Sequence, residues 1–225
     1  MKTIWKLIWK DLKTQDFKLF LLLPLPLIFF YAMLQPVWQA GAYTIVIVLM
    51  TYFLLAGNNH KQLDYKFDWI IHSLPVTRHE MLLSKYAMVI VWYILSAIIC
   101  NAIGAVYMLY NQMGIRLSSL MELGLSLSVI LLISGIYYPL YYLFDKKFLY
   151  VNIFLFTAML FAGPSIARGI PEIIVRFPLL LLPISVAIFA LSYRVSFLIF
   201  NRTRISQRRS GVIFLLGWME LHISI

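Results

Sequence analysis

From Lys18 to Lys61 the chain carries no acidic or basic side chain apart from His60. A helix needs only about 20 apolar residues to cross a bilayer, so this block has room for two spans. The turn between them falls at "QPVWQAG", Gln35 to Gly41. Further charge-free blocks run from Tyr86 to Ile115, Leu123 to Phe144, Phe148 to Ala167 and Phe177 to Tyr193. Six spans are expected, at 19–36, 40–57, 86–110, 121–144, 148–167 and 178–200. A span in lipid must satisfy its own backbone groups, and no ten-residue alternating pattern suggests a closed barrel, so the fold class is all-α, a polytopic membrane protein. No internal repeat or low-complexity linker divides residues 1–225, which read as one transmembrane domain.

The net charge of +10 could point to nucleic acid, but its distribution decides the matter. With the N-terminus placed inside, every lysine and arginine except Arg116, Arg168 and Arg176 falls on or near the cytoplasmic side. That is the positive-inside bias of a membrane protein with both termini cytoplasmic, and no nucleic-acid partner is expected. The first apolar block lacks a small-residue cleavage site and is followed by a second span, so it reads as an anchor. The single cysteine, Cys100, lies within a span and has no partner for a disulfide in the chain.

Ahead of the first span, "TIWKLIWKDLKTQD" at 3–16 is amphipathic at helical period. Ile4, Trp5, Ile8, Trp9 and Leu12 share one arc, and Lys6, Lys10 and Lys13 lie opposite. The pattern suits a helix lying in the membrane interface, tryptophans at headgroup depth and lysines toward anionic lipid; the alternative is a cytoplasmic extension of the first span. "YYPLYYLF", before the tight "DKK" turn at Asp145 to Lys147, reads as an aromatic interface belt. Pro24, Pro26, Pro139 and Pro183 mark candidate bends.

Between spans two and three, Leu63, Phe67, Ile70, Ile71 and Leu74 make an apolar stripe. Asp64, Asp68 and His72 line the other side, with Tyr65 and Trp69 beside them. This column has no second helix to complete a metal shell, so a partner-facing or solvated surface is expected and a metal is not. Pro75 stops that helix. Thr77 is a good N-cap and Glu80, three residues on, completes a capping box, so a second helix restarts at Arg78 and runs into span three, with Arg78 and Lys85 at the cytoplasmic surface. A short helix showing aromatics and acids to the cytoplasm suggests docking; a helix resting on the membrane is the other reading.

"SLPVTRHEMLLSKY", Ser73 to Tyr86, placed after the second of six spans, resembles the signature of ABC-2 type transporter permeases. The interfacial helix and the six-span plan are also similar to that family. The chain looks more distantly like the membrane subunits of phenol-soluble modulin or bacteriocin-immunity exporters. The resemblance implies a bacterial cell membrane, a second permease chain forming a homo- or heterodimer, and a separate ABC ATPase subunit that supplies ATP and magnesium. It assigns ATPase coupling to Asp64, Tyr65, Phe67, Asp68, Trp69, His72, Leu74, Pro75, Thr77, Arg78, Glu80 and Lys85. One departure stands out: after "NRTRISQRR" the basic tail, 201–225, continues as "SGVIFLLGWMELHISI", too few apolar residues to span.

No phosphate loop, zinc-helix motif or nucleophile elbow is present, so no catalytic residue and no cofactor is assigned to this chain. The function expected is the permease subunit of an exporter for an amphipathic peptide, lipid-like molecule or drug. The alternatives are a substrate-binding importer component and a small channel.

Overall fold

The computed structural model describes residues 2–14, 42–64, 76–110, 112, 117–144, 148–155, 157 and 181–202. The expected span 19–36, the segment 65–75, the turn 145–147, the stretch 158–180 and the tail beyond 202 lie outside the described residues. Among the described residues the chain is helical throughout, with no strand.

Helix α1 is Lys2–Thr14, α2 is Ala42–Asp64, α3 is Arg78–Tyr110 and α4 is Leu120–Phe144. A short helix α5 occupies 148–155 and α6 is Leu181–Arg202. Three of them, α3, α4 and α6, are long and apolar enough to cross a membrane. In α2 the apolar run stops at Asn59, leaving Tyr43–Asn59 shorter than that length, while the helix continues to Asp64. The six-span expectation therefore rests, for the described residues, on three candidate spans.

Helix α3 has 33 residues and so is about 50 Å long. Its sequence explains both of its faces. Leu82, Tyr86, Val89, Tyr93, Ser96 and Cys100 recur at three- and four-residue intervals and are buried. Ile90, Ile94, Ile98 and Val106 recur similarly and are exposed, as lipid-facing side chains of a span must be when the solvent is itself apolar. Around α3 pack α1, α2 and α4. The shared core takes Val46, Ile47, Met50 and Leu54 from α2, Trp92 from α3, Ile130 from α4 and Phe148 from α5.

Small residues bring α6 close. A Cβ added to Gly135 of α4 would lie 3.6 Å from Ile188 Cγ2 and 3.8 Å from the Phe189 backbone. Ser185, Ser192 and Ser196, the buried small residues of α6, let its backbone approach in the way glycine does on α4. Pro183 sits in the first turn of α6, where its missing N–H costs nothing, and α4 continues as helix through Pro139.

The aromatic stretch of α4 is core and not belt. Tyr137 and Tyr138 are fully buried. Tyr137 meets Phe148 edge-on at 4.8 Å, Tyr138 stacks on Tyr86 at 4.7 Å, and Tyr142 lies 5.2 Å from Phe200. The neighbouring helices α3, α5 and α6 wrap this face, so only Leu143 and Phe144 are left exposed at the end of the run. Two polar contacts cross the same region: the Tyr52 hydroxyl donates to the Asn152 carboxamide oxygen, and Asn59 Nδ2 donates to the Tyr137 hydroxyl at 3.3 Å.

Candidate functional site

Thr77, Arg78 and Glu80 open α3, and their geometry is the reciprocal cap that the spacing dictates. The Glu80 N–H donates to Thr77 Oγ1 at 3.3 Å. In return the Thr77 N–H donates to Glu80 Oε2 at 3.0 Å, and the Thr77 hydroxyl to the same oxygen at 2.9 Å. The first turn closes with the Met81 N–H on the Thr77 carbonyl at 3.1 Å. Two orphan backbone donors are thereby satisfied by side chains of the turn itself. Glu80 stands ahead of the apolar run that begins at Tyr86, and the Thr77 backbone N–H, then its hydroxyl, hold its carboxyl below the usual range.

From this cap the base of α3 is fastened on three sides. Toward α6, Arg78 Nη1 donates to Asn201 Oδ1 at 3.1 Å, and the His79 ring meets Tyr193 and Phe197 edge-on at 5.7 and 6.3 Å. Two turns further in, the Tyr86 hydroxyl lies 2.8 Å from Ser192 Oγ and 2.9 Å from Ser196 Oγ. Toward α4, the Tyr138 hydroxyl donates to the Lys85 carbonyl at 2.7 Å.

The third attachment is to α1, and it is ionic. Lys85 Nζ lies 2.9 Å from Asp11 Oδ2, and Lys10 Nζ lies 3.3 Å from Asp11 Oδ1. Asp11 is only 2% exposed. Burial on its own raises the Asp11 carboxyl, but the ammonium of Lys85, helped by that of Lys10, outweighs it and holds the group below the ordinary aspartate value. A carboxylate this enclosed stays charged because the partner is there to compensate it.

Lys85 therefore does not stand at an open surface as the sequence suggested; its side chain is turned onto α1. The cause is the orientation of α1. At 100° per residue Ile4, Leu7, Ile8, Asp11 and Leu12 occupy one continuous arc, and it is this arc that packs on α3. The expected apolar face is thus divided: its isoleucines and Leu12 pack inward, while Trp5 and Trp9 are 65% and 53% exposed. Lys6 and Lys13 continue the exposed side, and Lys13 Nζ sits 5.7 Å over the Trp9 ring. Lys10 leans to the other edge, toward Asp11.

Asp11 was readable as a buried acid only through its partner, 74 positions away in sequence. A second capping box carries a plainer signal that the sequence reading passed over. At the start of α4 the Ser119 N–H donates to Glu122 Oε2 at 2.8 Å and the Glu122 N–H to Ser119 Oγ at 3.2 Å, the same S/T-x-x-E spacing as Thr77 and Glu80. Asn101 ties this start back to α3: its Oδ1 accepts the Ser118 N–H and its Nδ2 donates to Ser118 Oγ, both at 2.8 Å.

Asp64 is the last residue of α2, and Tyr65, Phe67, Asp68, Trp69, His72, Leu74 and Pro75 lie outside the described residues. Among the described residues no group of three metal-ligating side chains comes together.

The base of α3 is joined to α1, α4 and α6 through an ion pair, a hydrogen bond to backbone and a tyrosine between two serines. The family model described as ABC-2 family transporter protein matches residues 6–201 of the chain. No curated protein and no solved structure matches it.

Proposed function

Because the chain belongs to the ABC-2 transporter family, we infer that it is the permease subunit of an ATP-driven exporter and that the base of α3 receives the motion of a separate ATPase. Two permease chains, alike or related, together form the substrate path. The observation that carries this reading is the three-way fastening of a helix start that follows directly on the segment 64–75. A helix cap alone rigidifies one turn; a cap joined to α1, α4 and α6 turns that end of the bundle into one body. In this reading Asp64, Tyr65, Phe67, Asp68, Trp69, His72 and Leu74 face the ATPase in the cytoplasm, and Pro75 separates them from the span. ATP and magnesium belong to the partner. Closure of the ATPase pair shifts the population between two packings of the bundle, because packed interfaces have discrete arrangements.

The apolar and aromatic character of the spans fits an amphipathic peptide, a lipid-like molecule or a drug as cargo. The sequence lacks a G-x-x-x-x-G-K-[ST] loop, so ATP hydrolysis by the P-loop route is assigned to the partner. Purification of the chain from its own cells in mild detergent tests the partnership. An ATP-hydrolysing chain is expected in the eluate, and the Asp68→Ala/Trp69→Ala variant is expected to lose it while still inserting in the membrane. Full ATPase retention by that variant overturns the docking assignment.

A further inference from the structure

Among the described residues, one face of helix α1 is packed and the other is exposed. Its inner arc packs on α3 and delivers Asp11, the one acid of the helix, to Lys85. The outer arc keeps Trp5 and Trp9 exposed beside Lys6 and Lys13. Thirteen residues make about 20 Å of helix, too short to cross a bilayer. Indole rings on a helix of this length suit the boundary between acyl chains and headgroups, where one edge is apolar and the other wet. Free phosphate would use the lysines and leave the tryptophans in water, so the chemistry selects an anionic lipid headgroup.

The ion pair adds a consequence that amphipathicity alone does not contain. When α1 is docked, Asp11 is withdrawn and neutralised, and the outward side is uniformly cationic. In an undocked α1, Asp11 would return to the same surface field and repel the headgroups that the lysines attract. Anionic lipid therefore binds the docked helix better than the free one, and by linkage it must favour docking.

We propose that α1 is a lipid-sensing input to the permease: anionic headgroups bind its Lys6, Lys13, Trp5 and Trp9 side and, through the Asp11 to Lys85 pair, hold the base of α3 in place. This rests on the geometry of α1 and α3 and stands apart from the ATPase assignment.

The test uses the full chain in mixed micelles titrated with phosphatidylglycerol or phosphatidylcholine, with backbone hydrogen exchange read at 78–86 and tryptophan quenching read with brominated lipid. Phosphatidylglycerol is expected to slow exchange at 78–86, and phosphatidylcholine is not. Lys6→Gln/Lys13→Gln is expected to raise the phosphatidylglycerol concentration for half-maximal protection about 25-fold, about fivefold for each lysine near the surface. Trp5→Phe/Trp9→Phe should remove most of the quenching. Asp11→Asn should retain quenching and lose the protection, and the charge exchange Asp11→Lys/Lys85→Asp should restore protection even if the single variant folds poorly. Equal protection by the two lipids, an unshifted midpoint in the lysine variant, or undiminished protection in Asp11→Asn overturns the proposal.

Discussion

Two helices of this protein start with the same four-residue device and use it differently. At the start of α4, Ser119 and Glu122 cap a turn in which Glu122 is 6% exposed. The Glu122 carbonyl lies within 3.4 Å of the Thr44 hydroxyl of α2, and the Leu123 carbonyl accepts from the Tyr93 hydroxyl of α3 at 2.7 Å. At the start of α3, Thr77 and Arg78 are exposed, and the fastening comes from residues further along the helix, Lys85 and Tyr86, and from Arg78 reaching Asn201. In the first box Ser119 is exposed as Thr77 is, but the glutamate is enclosed by the bundle, whereas Glu80 is only half-buried. The second, called the handle below, has an exposed cap, and its attachments lead inward to three other helices. The same local chemistry is thus set in two surroundings, and it is the second that the proposed function uses for transmission.

The sharpest way to break that contrast is to open the ionic attachment of the handle. Lys85→Met leaves the Asp11 carboxylate buried with Lys10 as its remaining ion-pair contact of those described, and is expected to destabilise the docked α1 by about 3 kcal/mol, whereas Asp11→Leu/Lys85→Met should recover most of that loss. Thermal unfolding of the four members of this cycle in detergent measures the coupling. Next in size is Glu122→Ala, which removes a buried carboxylate that accepts from the Ser119 N–H and should cost about 2 kcal/mol, the scale of a hydrogen bond to a charged group. Glu80→Ala, at an exposed cap, should move the unfolding temperature less than Glu122→Ala in the same assay. Tyr86→Phe removes a hydroxyl held by two serines and should cost about 1 kcal/mol, the scale of a hydrogen bond between helices in a membrane protein.

Acid gives a milder perturbation of the same attachment. Docking holds the Asp11 carboxyl below its ordinary value of about 3.9, so its contribution is fully present above that value and is lost as the pH falls through the lowered one. A spin-label distance between α1 and α3 should therefore stay constant from neutral pH down to about 4 and lengthen only below it. Asp11→Asn should show no such acid step.

Helix class and the handle's cap were legible in the sequence because both depend on neighbours in the chain. Charge-free blocks set the helices, and a threonine with a glutamate three residues on sets a cap whatever lies around it. Ser119 and Glu122 were legible by the same rule. The orientation of α1 was not: period 3.6 places Asp11 at the rim of the apolar arc, and only the lysine on α3 decides that the rim turns inward. Tyr137 and Tyr138 present the same difficulty. Tyrosines near the end of a span suit a headgroup belt and a buried core equally well by composition, and α5 and α6, packing from later in the chain, decide for the core.

The central claim is that the capped base of α3 carries the ATPase stroke. The direct measurement is hydrogen exchange on the permease co-purified with its ATPase, with and without ATP held in a closed state by vanadate. Exchange at 78–86 should change on closure in the native chain and should fail to change in Thr77→Ala/Glu80→Ala, while Ser119→Ala/Glu122→Ala, though less stable, should keep the response. An unaltered response in Thr77→Ala/Glu80→Ala, or a response confined to 118–126 in the native chain, would contradict the account.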